Sequence, residues 1–309
     1  MNKTTEISII IPIYNEEENL KELYRRLFKV LLNLRKTYEM IFVDDGSTDK
    51  SFEILNELHK IDNNVKIIQF SRNFGHHIAI TAGLDHCTGK LVVLMDGDLQ
   101  DQPEEIPKLL NKLNKGYDIV YGIKKNRQDK LFKRITSKIF VFLIKKIIQE
   151  KIEINNTIFR IMKRKVVLEL NKCRETNRYI IGLFGYVGFK QTGIEINHNK
   201  RFRGKTKYSL FKMLKLTFDA VFSFSILPLR MTTLIGISIS LISFILGTYF
   251  ILKKIIYSTA ISGWSSLIVS IFFLGGIQLI MIGILGEYIG RNYIETKKRP
   301  LYSINEFIK

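Results

Sequence analysis

From residue 7 to about 122, short apolar runs alternate with stretches of helical spacing. The runs at Ile7–Ile13, 40–43, Val65–Phe70, 91–95 and 118–121 have strand length and read as buried strands. Amphipathic stretches at 17–34, 50–60, 76–87 and 103–115 separate them and read as helices. Strands that alternate with helices predict an α/β fold with a mostly parallel sheet covered on both faces. In such sheets ligands bind beyond the carboxyl ends of the strands. The polar clusters fall there: Tyr14-Asn15-Glu16, Asp44-Asp45-Gly46-Ser47, Ser71-Arg72-Asn73 and Asp96-Gly97-Asp98.

The second half has another character. Between Lys124 and Lys151 there are ten basic residues and two acids, Asp129 and Glu150, with Phe132, Ile135, Ile139, Phe142 and Leu143 at helical spacing. A basic amphipathic helix fits a membrane surface, and an ordinary charged helix packed on the domain fits the same pattern. A second basic cluster, 200–215, holds seven Lys or Arg and no acid. Residues 232–252 and 265–285 then carry no charge at all. At about 1.5 Å per residue each spans about 30 Å, the thickness of the hydrocarbon layer, so two transmembrane helices are expected. A linker of about a dozen residues makes them a hairpin with both flanks on one side. The 200–215 cluster and Arg291, Lys297, Lys298 and Arg299 place that side in the cytoplasm. Lys253 and Lys254 in the opposite loop are a smaller signal the other way.

Charge and cysteine content sharpen this picture. The 309 residues include 48 Lys and Arg against 29 Asp and Glu, a formal net charge of +19. That excess calls for an anionic partner. Nucleic acid would account for the charge but not for the two apolar segments, and two helices are few for a transporter. Cys87 and Cys173 offer neither a disulfide framework nor zinc spacing, which suits a reducing compartment. Residues 1–6 lack the basic-then-apolar layout of a secretory signal.

The chemistry is expected at the strand ends. Asp96 and Asp98, one residue apart after a buried strand, can share a divalent cation such as Mg²⁺ or Mn²⁺, which binds hard oxygen ligands together with substrate phosphates. As a Lewis acid the cation would neutralise a leaving diphosphate. An Asp-x-Asp on its own is also a common turn. The stretch Asp44-Asp45-Gly46-Ser47-Thr48-Asp49 reads as part turn and part cap, with Ser47 or Thr48 capping the next helix and Asp44 and Asp45 facing the crevice. His76 and His77 read as polar residues at a helix start.

Five motifs in order, Ile-Pro-Ile-Tyr-Asn-Glu-Glu-Glu-Asn-Leu (11–20), Phe-Val-Asp-Asp-Gly-Ser-Thr-Asp (42–49), Ser-Arg-Asn-Phe-Gly (71–75), Thr-Ala-Gly-Leu-Asp (81–85) and Asp-Gly-Asp-Leu-Gln-Asp-Gln-Pro-Glu (96–104), resemble the family-two glycosyltransferases of GT-A fold. The match is closest to the polyprenyl-phosphate branch, the dolichyl-phosphate mannose synthases and bactoprenol glucosyltransferases. Arg-Phe-Arg-Gly-Lys-Thr-Lys-Tyr-Ser-Leu (201–210) and Phe-Ser-Phe-Ser-Ile-Leu-Pro-Leu-Arg (222–230) are similar to the bactoprenol side. The resemblance implies transfer of a single sugar from a nucleotide-sugar, glucose from UDP-glucose as first guess, to undecaprenyl phosphate, with inversion. It implies that Pro12, Tyr14 and Glu16 line the nucleotide site with Asp44 and Asp45, that Asp96, Asp98 and Gln100 surround metal and diphosphate, and that Arg201, Arg203 and Lys207 close on the phosphates. A cationic loop just before a membrane segment suits an arriving lipid phosphate, and equally a general attraction to anionic lipid. The expected layout is a cytosolic GT-A domain over 1–225 with interface helices near 128–149 and 207–222, a hairpin over 226–292 and a cytosolic tail over 293–309, in the plasma membrane. Homo-oligomers, a lipid-sugar flippase and a downstream glycosyltransferase are the protein partners the resemblance suggests; nucleic acid is not one.

Two departures bear on mechanism. The bactoprenol branch usually carries an Asp before the Phe-Arg pair, and Ile158 stands there in Asn156-Thr157-Ile158-Phe159-Arg160. A lipid hydroxyl acceptor would need a base, whereas a phosphate monoester, with a second pKa near 6, arrives largely anionic. Asp101 is a stand-in for the absent acid, and Arg160 can bind a phosphate. A catalytically weakened homologue acting as scaffold is the competing reading. Processive polysaccharide synthases carry Gln-x-x-Arg-Trp, and the sole tryptophan here, Trp264, lies in the apolar region, so single transfer is expected over polymerisation.

Overall fold

A computed structural model describes residues 5–124, 156–197, 226–257 and 263–309. These form two compact units, residues 5–197 with Pro300–Lys309, and residues 226–299. The expected interface helices near 128–149 and 207–222 lie outside the described residues, as do Arg201, Arg203 and Lys207.

The first unit is an eight-stranded sheet with strands β1 (Ile7–Ile13), β2 (Tyr38–Asp44), β3 (Val65–Phe70), β4 (Leu91–Leu94), β5 (Ile119–Lys124), β6 (Asn156–Lys163), β7 (Gln191–Ile196) and β8 (Ile304–Ile308). Their spatial order is β7-β5-β6-β4-β1-β2-β3-β8. Strands β4, β1, β2 and β3 run parallel, as do β5 and β7, while β6 and β8 are antiparallel to their neighbours. The five strands expected from the apolar runs are the first five.

Helices α1 (Leu20–Leu34), α2 (Ser51–Ile61), α3 (His76–His86) and α4 (Ile106–Leu113) connect them. On α1, Leu20, Leu23, Leu27, Val30 and Leu31 recur on one stripe and are buried. They meet Ile7, Ile9, Ile11, Ile13, Phe42, Val93 and Phe159 in one apolar core on that face of the sheet. Burying a side chain of this size stabilises by roughly 2 kcal/mol, so the stripe holds α1 in place. The other face is covered by α3, whose Gly83 lies so close to Ile10 that a Cβ there would collide with its Cγ2. Two further helices, α5 (Arg164–Leu170) and α6 (Ile180–Tyr186), follow β6 and bury Val166, Val167, Leu170, Leu183 and Phe184.

The second unit is a pair of long helices, α7 (Leu227–Tyr257) and α8 (Trp264–Thr296). They contain stretches with mean hydropathy of 1.9 and 2.5 whose side chains are not buried within the protein. Phe244 and Phe272, for example, are 73% and 76% exposed. Apolar surface on that scale needs a non-aqueous surrounding, and the lengths fit a membrane hairpin. Both helices exceed the expected 232–252 and 265–285, because apolar side chains continue past the uncharged windows. Residues 304–308, expected as part of a tail, are instead the edge strand β8, paired with β3.

Candidate active site

The carboxyl ends of β1, β2, β3 and β4 carry four turns that knit together. After β1, Asn15 adopts the left-handed conformation at φ 53°, which asparagine tolerates well. Its Oδ1 accepts from the Thr48 amide at 2.8 Å, and its own amide donates to Ser47 Oγ at 3.0 Å. The Glu16 amide donates to Ser51 Oγ at 2.9 Å and the Glu17 amide to Asp49 Oδ2 at 3.2 Å. Ser47 and Thr48 thus serve the first turn rather than capping α2. The cap-like bond comes from Asp49, whose Oδ1 accepts from the Ser51 amide at 3.0 Å. Pro12 is buried within β1 beneath this turn, Tyr14 is 38% exposed at its tip, and Glu16 accepts from Asn19 Nδ2 at 2.6 Å.

The two carboxylates after β2 have different tasks. Asp45, almost fully buried, accepts from the Phe74 amide at 2.7 Å and from the Gly75 amide at 3.0 Å. It therefore clamps the loop after β3 to the loop after β2. Gly46 makes this approach possible: its φ is +69°, and a Cβ would meet the Arg72 carbonyl carbon at 2.6 Å. Asp44 is wholly buried and its Oδ1 accepts from the Ser47 amide at 2.9 Å. Its Oδ2 makes no hydrogen bond of normal geometry among the described residues, although Gln69, its register partner on β3, favours the ionised form. Burial raises the pKa of both carboxyls above the usual aspartate value.

The turn after β4 carries Asp96, Asp98 and Gln100, each half-buried. Leu99 between them is left-handed at φ 59° while its side chain is buried in the core. A leucine rarely adopts that conformation, and such strain is commonest where a site depends on the turn. Asp98 Oδ1 accepts from the Gln100 amide at 3.1 Å, closing the turn. His76, the first residue of α3, brings Nε2 to 3.4 Å from Asp96 Oδ1, so α3 reaches into the crevice as well. Burial depresses the pKa of the adjacent His77 to about 4, with His76 and Arg178 adding to the effect. Among the described residues no three metal-ligating side chains converge. Two hard oxygen ligands on one turn suit a cation that completes its shell with phosphate oxygens and water.

The family model for glycosyl transferase family 2 matches residues 8–170, more than half of the chain and the part that builds this crevice. The chain belongs to glycosyl transferase family 2. Curated relatives match along nearly its whole length. A glycosyltransferase of Synechocystis without an assigned activity is 44% identical, covering 98% of this chain and 96% of its own. A prophage bactoprenol glucosyl transferase homologue of Escherichia coli is 43% identical over 98% and 99%. An undecaprenyl-phosphate 4-deoxy-4-formamido-L-arabinose transferase of Proteus mirabilis is 36% identical over 99% and 95%. Among solved structures, the glucosyl-3-phosphoglycerate synthase of Mycobacterium tuberculosis is similar at 17% identity over 71% and 78%, with a TM-score of 0.48, too distant to assign any residue here.

In this glycosyltransferase the remaining expected site residues are enclosed. Arg160 on β6 is fully buried, with its guanidinium carbon 3.9 Å from the Phe184 ring centroid. It donates to the Thr157 carbonyl at 2.7 Å and the Ile158 carbonyl at 3.2 Å, leaving Nη1 without a partner among the described residues. Burial lowers its pKa to about 9. Its two donations to carbonyls and its stacking on Phe184 fit a brace for the backbone at 157–158. Leu94, the last residue of β4, pairs with Arg160. Asp101 is 3% exposed.

The sequence did not show what several neighbours of the site touch. The amides of Phe74 and Gly75 and the side chain of Gln69 gain their importance only from strand order. The apposition of His76 and Asp96 could have been anticipated from the rule that α3 begins at a strand's carboxyl end.

Proposed function

We propose that this glycosyltransferase moves one sugar from a nucleotide-sugar, UDP-glucose as first donor, to a polyprenyl phosphate such as undecaprenyl phosphate at the cytoplasmic face of the membrane. The observation that carries the reading is the joining, in one chain, of a strand-end carboxylate crevice to an apolar helix pair. Relatives of the same length named for polyprenyl-phosphate acceptors support it. Those two names differ in the sugar, so glucose rests on the bactoprenol resemblance alone.

The arrangement of the crevice supports the following roles. Asp44 Oδ2, buried and short of a partner, suits the imide N–H of a uracil base, with Pro12, Tyr14 and Glu16 shaping the wall beside it. Asp45 acts one step back by fixing the 71–75 loop. Asp96 and Asp98, with Gln100 closing the turn, would hold Mg²⁺ or Mn²⁺ against the diphosphate. The bound cation would neutralise negative charge developing on the leaving group. Arg201, Arg203 and Lys207, outside the described residues, are assigned to the donor and acceptor phosphates. An oxygen of the lipid phosphate attacks the anomeric carbon, the bond to the diphosphate oxygen breaks with its electron pair, and nucleoside diphosphate leaves. A single in-line displacement inverts the anomeric configuration. No side chain has to remove a proton, which accommodates Ile158 where relatives of this branch place an acid.

Protein in detergent, supplied with Mn²⁺, undecaprenyl phosphate and labelled nucleotide-sugars, is expected to form one glycolipid. The absence of product with every common donor would favour the second reading, a weakened transferase that serves as a scaffold, which Ile158 is the only observation to recommend.

A further inference from the structure

The last residues of the chain return from α8 to the sheet, and their contacts concentrate at the site-facing end of β3. Strand β8 pairs antiparallel to β3, with Ile67 opposite Ile308 and Phe70 opposite Ile304. The register shifts between Gln69 and Phe70, so the chain before β8 swings across the end of β3. There the Ser71 amide donates to the Ser303 carbonyl at 3.1 Å. The Tyr302 ring stacks on Phe70 with centroids 5.1 Å apart and planes 20° from parallel. Phe70 meets Phe74 edge-on at 5.5 Å, and the Arg72 guanidinium carbon lies 4.0 Å from the Phe74 centroid. The column Tyr302–Phe70–Phe74–Arg72 thus runs through Phe74, whose amide Asp45 holds. A parallel line runs through Asn305, whose Nδ2 donates to Gln69 Oε1 at 2.8 Å beside Asp44. Tyr302 is fixed from behind: its hydroxyl donates to Asp85 Oδ2 at 2.8 Å, and Asp85 is ion-paired to Arg174 at 2.8 Å.

An added edge strand can simply blunt an exposed sheet edge. Main-chain pairing would suffice for that. The aromatic column and the anchored tyrosine are additional, and both lead to the loop that closes the crevice. We propose that Tyr302, with Asn305, is a positioning residue for donor binding: the segment after the second apolar helix holds the 71–75 loop in the shape that Asp45 clamps. This inference rests on reading the crevice as the nucleotide-sugar site. It adds a dependence of nucleotide affinity on the last ten residues, remote from every donor-site motif.

Full-length protein in detergent provides the test, with Tyr302→Ala, Tyr302→Phe and Asn305→Ala. The probe is UDP with Mn²⁺, measured by calorimetry, alongside KM for donor and acceptor and hydrogen exchange of the Phe74 and Gly75 amides. Tyr302→Ala is expected to weaken UDP and raise donor KM by about tenfold, which corresponds to about 1.4 kcal/mol. Acceptor KM and kcat at saturating donor should hold, and the two amides should exchange faster. Tyr302→Phe, which keeps the stack and loses only the hydroxyl, should recover most of the affinity. Unchanged exchange at Phe74 and Gly75 in Tyr302→Ala overturns the positioning role, as does a loss of thermal stability with UDP affinity intact. Failure of the unsubstituted protein to bind UDP or another nucleoside diphosphate, with exchange still faster in Tyr302→Ala, overturns the donor-site reading instead.

Discussion

A carboxylate kept from water and short of hydrogen-bond donors is a poor anion, and Asp44 is in that state. Its folded pKa is raised by burial from an ordinary value of 3.8, so the folded protein binds the proton more tightly than the unfolded chain. Stability from this group is therefore present at low pH and declines as pH rises from about 3.8 through the raised value. At neutral pH Asp44→Asn is expected to stabilise the protein by roughly 1 kcal/mol, since it removes a buried charge while keeping an acceptor for the Ser47 amide. The same change should weaken UDP about tenfold, because an amide oxygen is a weaker acceptor for an imide N–H. Thermal melts at pH 7 paired with UDP titration check both halves; a variant both less stable and unaltered in binding would remove Asp44 from the site. His77 has the opposite sign. Burial drops its pKa from 6.5 to about 4, so its stabilising neutral form persists above 6.5 and its contribution is lost as pH falls through about 4. Asp98 is the residue on which turnover should depend most. Asp98→Ala should reduce glycolipid formation at least about a hundredfold with the fold intact by circular dichroism, the several kcal/mol expected of lost charge stabilisation. Product at the wild-type rate would refute the metal assignment.

At the scale of elements, the site depends on two loops approaching closer than side chains allow. Gly46→Ala places a Cβ 2.6 Å from the Arg72 carbonyl carbon at a backbone angle that alanine accepts poorly. It should cost roughly 1–3 kcal/mol in urea denaturation and loosen the 71–75 loop. A wild-type unfolding midpoint with full UDP affinity would mean that the loops separate without consequence. Strand β6 sets the other wall. If the nucleophile arrives charged, Ile158→Asp should change kcat by less than about threefold, because a general base is worth about a hundredfold or more only where a proton must be removed. A hundredfold rise would reveal a missing base. The first five strands and the helices between them were legible from their lengths and apolar runs: Ile7–Ile13 is apolar but for Ser8 and buried throughout, and α1 has one unbroken stripe. Strand β6 was not, because Thr157, Arg160 and Lys163 interrupt its apolar pattern, and the burial of Arg160 under Phe184 is a tertiary effect. Strand β8 has five residues, mostly exposed, and exists only because β3 offers an edge. Among the site residues, the carboxylates were legible from their place after strands. The division of labour between Asp44 and Asp45 was not, since it depends on which loop lies opposite.

For the whole molecule, the decisive relation is that β8 follows α8 in sequence yet shares a sheet with strands that precede α7. A chain that leaves a domain, crosses a membrane and rejoins that domain must cross an even number of times, so the proposed hairpin, with both flanks on one face, is compatible with this pairing. Basic residues favour the cytoplasm for that face: seven lie in 200–215, and Arg291, Lys297, Lys298 and Arg299 close the second span. The proposed donor agrees with that face, because nucleotide-sugars are made in the cytosol. Single cysteines test this directly, introduced by Ser258→Cys in the short linker or Lys309→Cys after β8, with Cys87 and Cys173 changed to serine. In right-side-out membrane vesicles an impermeant maleimide should label position 258 and spare 309, and in inverted vesicles the pattern should reverse. Labelling of both positions from one side would break the two-span reading. Labelling of 309 from the outer face would place the crevice away from its donor, and the proposed reaction could not then run as described.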